Sequence, residues 1–145
     1  MSVGDEVTLS GVYYPNGLPI RNATDTDNAD GVFLASSART TTQTMADQVN
    51  TNKQGIRVVV QTTVIGTGSI TMAIQAKDPA SGAYVTMLTG AAIVTNVTNT
   101  YLLYPGAANT ANVSANDRLP RTWRILVTAN NANSATYSVG YMLLG

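Results

Sequence analysis

Few residues of this chain could take part in acid–base or nucleophilic chemistry. The sequence holds eight Asp and Glu residues and eight Lys and Arg residues, but it has no histidine and no cysteine. It therefore cannot build an imidazole-activated nucleophile, a Cys or His metal site, a disulfide or a histidine pH switch. Any hydrolytic mechanism would have to use carboxylates alone, and the candidate pair is Asp78 and Asp117, as in glycoside hydrolysis.

Both members of this carboxylate pair lie in turn signatures. Asp78 precedes Pro79, and Asp117 follows Asn116. A short carboxylate in such a position commonly accepts hydrogen bonds from the backbone of its own turn. We therefore predict no catalytic residue and no enzymatic activity.

A second acidic cluster could in principle bind calcium. Asp25, Asp27 and Asp30 offer oxygen ligands beside Gly31. An EF-hand loop needs ligands at its first, third and fifth positions, glycine at the sixth and a bidentate Glu at the twelfth, and this spacing does not match. We therefore predict a solvated loop, with no metal and no other cofactor.

Three arginines recur at a spacing of three before and within the segment that contains the single tryptophan. They are Arg118, Arg121 and Arg124, and Pro120 between them argues against a helix. Three arginines with two acids nearby do not make a nucleic-acid surface, so no nucleic-acid partner is predicted. Trp123 is predicted to fill the core, although an arginine stacked on its ring is an alternative.

The elements that must position these residues read as β-strands. Short alternating runs of apolar and β-branched residues recur about every ten residues and end at Gly, Pro or Asn, without an amphipathic helical pattern. The pattern predicts an all-β fold, an antiparallel β-sandwich or jelly-roll-like domain. Strands are predicted at 31–35, 56–65, 69–77, 84–88, 92–97, 100–104, 121–129 and 137–143, with 56–65 and 69–77 forming a hairpin-like pair and 106–117 a long loop.

The chain is predicted to have two parts. Residues 1–35 form an extended N-terminal arm with one or two short strands, the first over Glu6–Tyr14, and residues 36–145 form the sandwich. Residues 1–47 hold two basic and six acidic side chains, and residues 48–145 hold six basic and two acidic ones. We expect the two parts to attract each other, within one chain or between neighbouring chains. The last strand is apolar on both faces, so its outer face is predicted to contact either a second subunit or the arm.

No stretch of the sequence approaches the ~18 apolar residues of a membrane span, and the acidic N-terminus is unlike a signal peptide. A membrane partner is therefore not predicted.

Six short motifs follow one another from about Ser36 onward. They are Ser37-Ala-Arg-Thr40, Lys77-Asp-Pro-Ala-Ser-Gly82 with Tyr84, Leu88-Thr-Gly-Ala-Ala-Ile93, Tyr104-Pro-Gly106, Leu119-Pro-Arg-Thr-Trp-Arg124 and Tyr137-Ser-Val-Gly140. In the order and spacing of these motifs the sequence resembles small structural proteins encoded among the head genes of tailed bacteriophages. The first 35 residues lie outside the resemblance.

The resemblance implies a virion structural protein of the capsid decoration, or cement, type. Such a protein would be a β-rich homotrimer on the outer surface of the phage head, assembled in the host cytoplasm, with the major capsid protein as its partner. It would stabilise contacts between capsomers of the mature shell. The alternative is a tail-associated or fibre-associated β-module that binds host surface glycan.

Overall fold

The computed structural model describes residues 28–145 of the chain, and these residues form an all-β sandwich without any helix. The strands of this part, in chain order, are β1 (Ala29–Arg39), β2 (Gln43–Thr44), β3 (Gln48–Val49), β4 (Gly55–Val64), β5 (Ile70–Lys77), β6 (Tyr84–Thr89), β7 (Thr98–Leu103), β8 (Ser114–Ala115), β9 (Thr122–Ala129) and β10 (Ala135–Leu144).

The strands form two sheets. The first sheet has the order β2-β9-β5-β6, and β3 also pairs directly with β9, at a different part of that strand from β2. The second sheet has the order β1-β10-β4-β7-β8. Every pairing is antiparallel except that of β7 with β8. The all-β, antiparallel sandwich predicted from the periodicity is thus confirmed for the described residues.

Alternate side chains of both sheets meet in one core. In β4 the side chains of Ile56, Val58 and Val60 are fully buried, whereas Arg57 between them is exposed. Trp123 on β9 is 1% exposed, so its predicted core position is confirmed. Its ring makes an edge-to-face contact with Tyr141 of the opposite sheet at a centroid distance of 5.5 Å. Each such buried apolar side chain contributes roughly 1.5–3 kcal/mol relative to an exposed one.

The hairpin predicted from residues 56–65 and 69–77 is wrong. Strand β4 pairs with β10 and β7, whereas β5 pairs with β9 and β6, so the two strands lie in different sheets. The connecting turn, in which the Gly68 N–H donates to the Ile65 carbonyl at 2.7 Å, leads the chain across the core. Both strands do bury one face, as predicted, but they face each other across the sandwich.

Two further predictions need adjustment. Residues 92–97 do not form a strand, because only Ile93 makes a bridge, to Ile70, and the residues after it form a loop. Strand β1 begins at Ala29 and pairs with β10 along its length, so the predicted boundary between residues 35 and 36 falls inside a strand of the sandwich. The strand predicted over Glu6–Tyr14 lies outside the described residues.

The core contains one hydroxyl that we expect to be destabilising. Thr62 is 3% exposed, and its Oγ1 has no hydrogen-bond partner among the described residues. Because a buried polar group without a partner costs about 1–3 kcal/mol, Thr62→Val should raise the free energy of unfolding by about 1 kcal/mol. Denaturant unfolding measures this, with Thr44→Val, at an exposed strand position, as the control. Loss of stability in Thr62→Val would show that the hydroxyl is satisfied.

Candidate binding surfaces

The two carboxylates of the candidate hydrolytic pair both accept hydrogen bonds from backbone N–H groups close to them in sequence. Asp78 accepts hydrogen bonds from the Ala80 N–H at 3.0 Å and from the Ser81 hydroxyl, and these bonds hold the pKa of its carboxyl below the ordinary value. Asp117 accepts from the N–H of Arg118 at 2.8 Å. The predicted capping of a turn is confirmed for Asp78, whereas Asp117 accepts only from the N–H of the next residue, outside any turn.

Of the three acidic residues in the candidate calcium cluster, the structure describes only Asp30. Asp25 and Asp27 lie outside the described residues, and Asp30 is an exposed residue of β1 that pairs with Met142. Within residues 28–145 no three acidic side chains come close enough together to hold a metal ion.

The arginines do not stack on Trp123. Arg118 and Arg121 are exposed in the segment before β9, while the Arg124 guanidinium lies 3.3 Å from the ring centroid of Tyr84. The alternative that placed an arginine on the indole is therefore wrong, because Trp123 faces the core and Arg124 the opposite side of β9.

A polar cluster covers the outer face of the first sheet around Arg124. Its Nε donates to Gln75 Oε1 at 2.8 Å, and Lys77 Nζ forms an ion pair with Asp47 at 2.8 Å. The Tyr84 hydroxyl also donates to Asp47. The hydrogen bond from Lys77, with a further one from Tyr84, lowers the pKa of the Asp47 carboxyl, and Asp47 in turn raises the pKa of Lys77. Sequence reasoning missed this cluster because Asp47 arrives from a loop 30 residues before Lys77.

The tyrosines do not offer an exposed aromatic platform within the described part of the chain. Arg124 covers Tyr84, and Tyr104 donates its hydroxyl hydrogen bond to the Gly145 carbonyl at 2.8 Å. All five described tyrosines are buried or half-buried, namely Tyr84, Tyr101, Tyr104, Tyr137 and Tyr141. A sugar-binding face built on stacked exposed tyrosine rings has no counterpart in residues 28–145.

An open groove on the surface of the described residues is lined by no charged residue. It has a volume of about 470 Å³ and lies between the loop after β6 and the segment before β8. Three valines at its rim are substantially exposed: Val94 at 57%, Val97 at 39% and Val113 at 47%. Large exposed apolar side chains gathered in one depression are typical of a protein contact. We call this depression the valine groove.

The floor of the valine groove depends on a close approach between Gly90 and Tyr101. A methyl group at Gly90 would lie 2.6 Å from the Tyr101 ring, so only glycine lets this ring pack beneath the loop. Burial raises the pKa of the Tyr101 hydroxyl. The motif from Leu88 to Ile93 contains part of the sequence signal, but the apolar residues that follow Gly90 were included in the strand predicted over 92–97.

No protein-family model matches this chain, and a comparison with curated proteins finds no significant match. Residues 28–145 contain no helix with the length and apolar character that crossing a membrane requires.

The directions of the pKa shifts in the described residues predict that the free energy of unfolding changes little between about pH 5 and pH 9. The lowered pKa values of Asp47 and Asp78 contribute stability that is present above their ordinary value of 3.8 and is lost as pH falls through the folded-state pKa. The raised pKa values of Lys77, Tyr101 and Tyr137 contribute stability that is present at neutral pH and is lost in strong alkali.

Thermal unfolding across this pH range tests this prediction. In Asp47→Asn we expect a shallower loss on the acid side, since one of the two lowered carboxyls is gone. A stability step between pH 5 and pH 9 would contradict the assignment.

Proposed function

We propose that this chain is a capsid decoration protein, which binds the outer surface of a mature phage head and stabilises contacts between capsomers. The valine groove is the observation that carries the proposal, because it offers uncharged apolar surface suited to contact with another protein. Three residues of the Leu88–Ile93 motif, which contributes to the phage-protein resemblance, line this groove: Ala91, Ala92 and Ile93. The resemblance and the candidate contact surface therefore overlap at these three residues.

The chemistry of the described residues also supports a binding role over an enzymatic one. Asp78 and Asp117 accept hydrogen bonds from backbone N–H groups close to them in sequence, and no charged residue lines the valine groove. The proposed partner is the major capsid protein, and the proposed site of action is the virion surface. A cement protein of this kind binds only the mature, expanded lattice. Its binding therefore stabilises that state of the shell by mass action.

A homotrimer is the proposed assembly. A closed three-fold ring on a local three-fold axis of the shell would repeat each contact three times, so that modest interfaces sum to tight binding. No disulfide or metal is needed for this, which suits addition to the shell in the host cytoplasm.

Copy number in purified particles distinguishes the proposed role from the alternative of a tail or fibre module. Quantitative mass spectrometry should find this chain at hundreds of copies per particle, scaling with the major capsid protein. A few to tens of copies would place it in the tail and would overturn the proposal.

A charge in the valine groove should weaken binding to the shell. Val94→Asp buries a carboxylate without a partner in the contact, and we expect affinity for particles stripped of this protein to fall at least about tenfold. The matched control is Val85→Asp, because Val85 on β6 is also 57% exposed but lies outside the groove. Co-sedimentation with stripped particles measures both variants. Equal binding by Val94→Asp and the unaltered protein would exclude the groove as the contact.

A further inference from the structure

The outer face of the second sheet is the side of β1, β10, β4 and β7 that points away from the core. Residues paired across neighbouring strands share a face of a sheet. One row of paired residues joins Asp30, Met142, Arg57 and Leu102, and the next joins Val32, Gly140, Val59 and Thr100. Four of these eight residues are large and apolar, namely Met142, Leu102, Val32 and Val59, and Val32 is 73% exposed. This face therefore differs from the outer face of the first sheet, which Arg124 and its partners cover.

A glycine without a local explanation lies in the middle of this face. Gly140 does not have a positive φ, and a methyl group built on it would touch only the Gly31 carbonyl oxygen at 3.7 Å, an ordinary contact distance. The nearby bulge adds its extra residue to β1, at Phe33, and so does not require glycine in β10. Glycine inside a strand costs stability and often marks a place where another backbone approaches closely. The described residues contain no backbone that covers Gly140.

The chain enters the described structure at the edge of this same face. Asn28 lines a cavity of about 310 Å³ together with Arg57, Leu102 and Leu144. Its Oδ1 accepts a hydrogen bond from the N–H of Gly145 at 3.4 Å. Asn28, the first described residue, therefore lies at the edge of the outer face of the second sheet.

We propose that residues 1–27 of the same chain dock on the outer face of the second sheet and cover Gly140. The segment is long enough, because 27 residues can span up to about 90 Å when extended and a ten-residue strand is only about 33 Å long. The run from Val7 to Tyr14 supplies apolar and aromatic side chains for the valines and Met142.

Charge favours the same occupant. Residues 1–27 hold Arg21 against four acidic side chains, and residues 28–145 hold seven basic against four acidic ones. The two parts thus carry formal charges of −3 and +3. On the face itself Arg57 lies near the centre and Asp30 at the β1 edge of the same row. A second copy of the whole chain has a formal net charge of zero, so it would not be attracted to this face by net charge as residues 1–27 would be. A tethered segment also acts at a millimolar effective concentration, well above that of any free copy.

Cross-linking from the outer face identifies what covers it. The chain has no cysteine, so Val59→Cys provides a unique thiol for a photoreactive benzophenone maleimide. An equal mixture of unlabelled and 15N-labelled full-length chains is irradiated, digested and sequenced by mass spectrometry. We expect cross-links to peptides within residues 1–27, all of them between peptides of the same isotope.

Every other outcome of this experiment opposes the proposal. Cross-links between different isotopes would mean an exchanged arm or a second copy, cross-links to residues 28–145 of another chain would mean a sheet-to-sheet dimer, and no cross-link would mean an open face. The matched control is Thr128→Cys, on the outer face of the first sheet, which pairs with Thr71 of β5. Equal labelling of residues 1–27 from that position would show that the arm contacts the surface without preference.

The sign of a stability change at Gly140 provides an independent test. On an open face Gly140→Val would raise the melting temperature, because a β-branched residue is better suited to a strand than glycine. Beneath a docked segment the same substitution should lower the melting temperature by about 5 °C or more, since the added side chain meets the covering backbone. Thr128→Val controls for valine on an outer strand face and should shift it by less than about 2 °C. An increase in the melting temperature of Gly140→Val would overturn the proposal.

Discussion

The interlocking of alternate side chains between the two sheets is the constraint on which the other features depend. Ile56, Val58 and Val60 of one sheet and Trp123 of the other must point inward together, and the strand period of two then sends their neighbours outward. A slip of one residue would expose this set and bury Arg57. The core register therefore determines which residues form the outer faces, so the apolar character of Val59 and Met142 is not a by-product of core packing.

The two outer faces manage their polar groups in different ways. On the first sheet Arg124, Gln75, Asp47 and Lys77 satisfy one another beside the Tyr84 ring, so this face is complete when exposed to water. Individual exposed ion pairs contribute little to stability, but a connected set holds side chains in place. On the second sheet Gly140 lies between Val32 and Val59, with Met142 beyond it along the strand and Ser138 before it. The centres of the two outer faces therefore differ in polarity.

The sequence was most informative where the period of two was long. The strands near residues 56–65, 69–77 and 121–129 and the core position of Trp123 were predicted correctly because alternation reports burial directly. Pairing was not predictable, since β4 and β5 show the same alternation whether they are bonded in one sheet or face each other across the core. The polar cluster at Asp47 was also beyond reach, because its partners are distant in the chain and meet only once the sheets have formed.

The valine groove and the outer face of the second sheet are neighbours, because β7 contributes to both. Thr100 lines the groove and pairs with Val59, and Tyr101, the next residue, forms the groove floor beneath Gly90. A segment docked on the outer face would therefore border any partner bound in the groove. Docking and partner binding could then couple through β7, by as much as the two states of the segment differ in their contact with the partner. The position of one segment would thereby regulate binding in the groove.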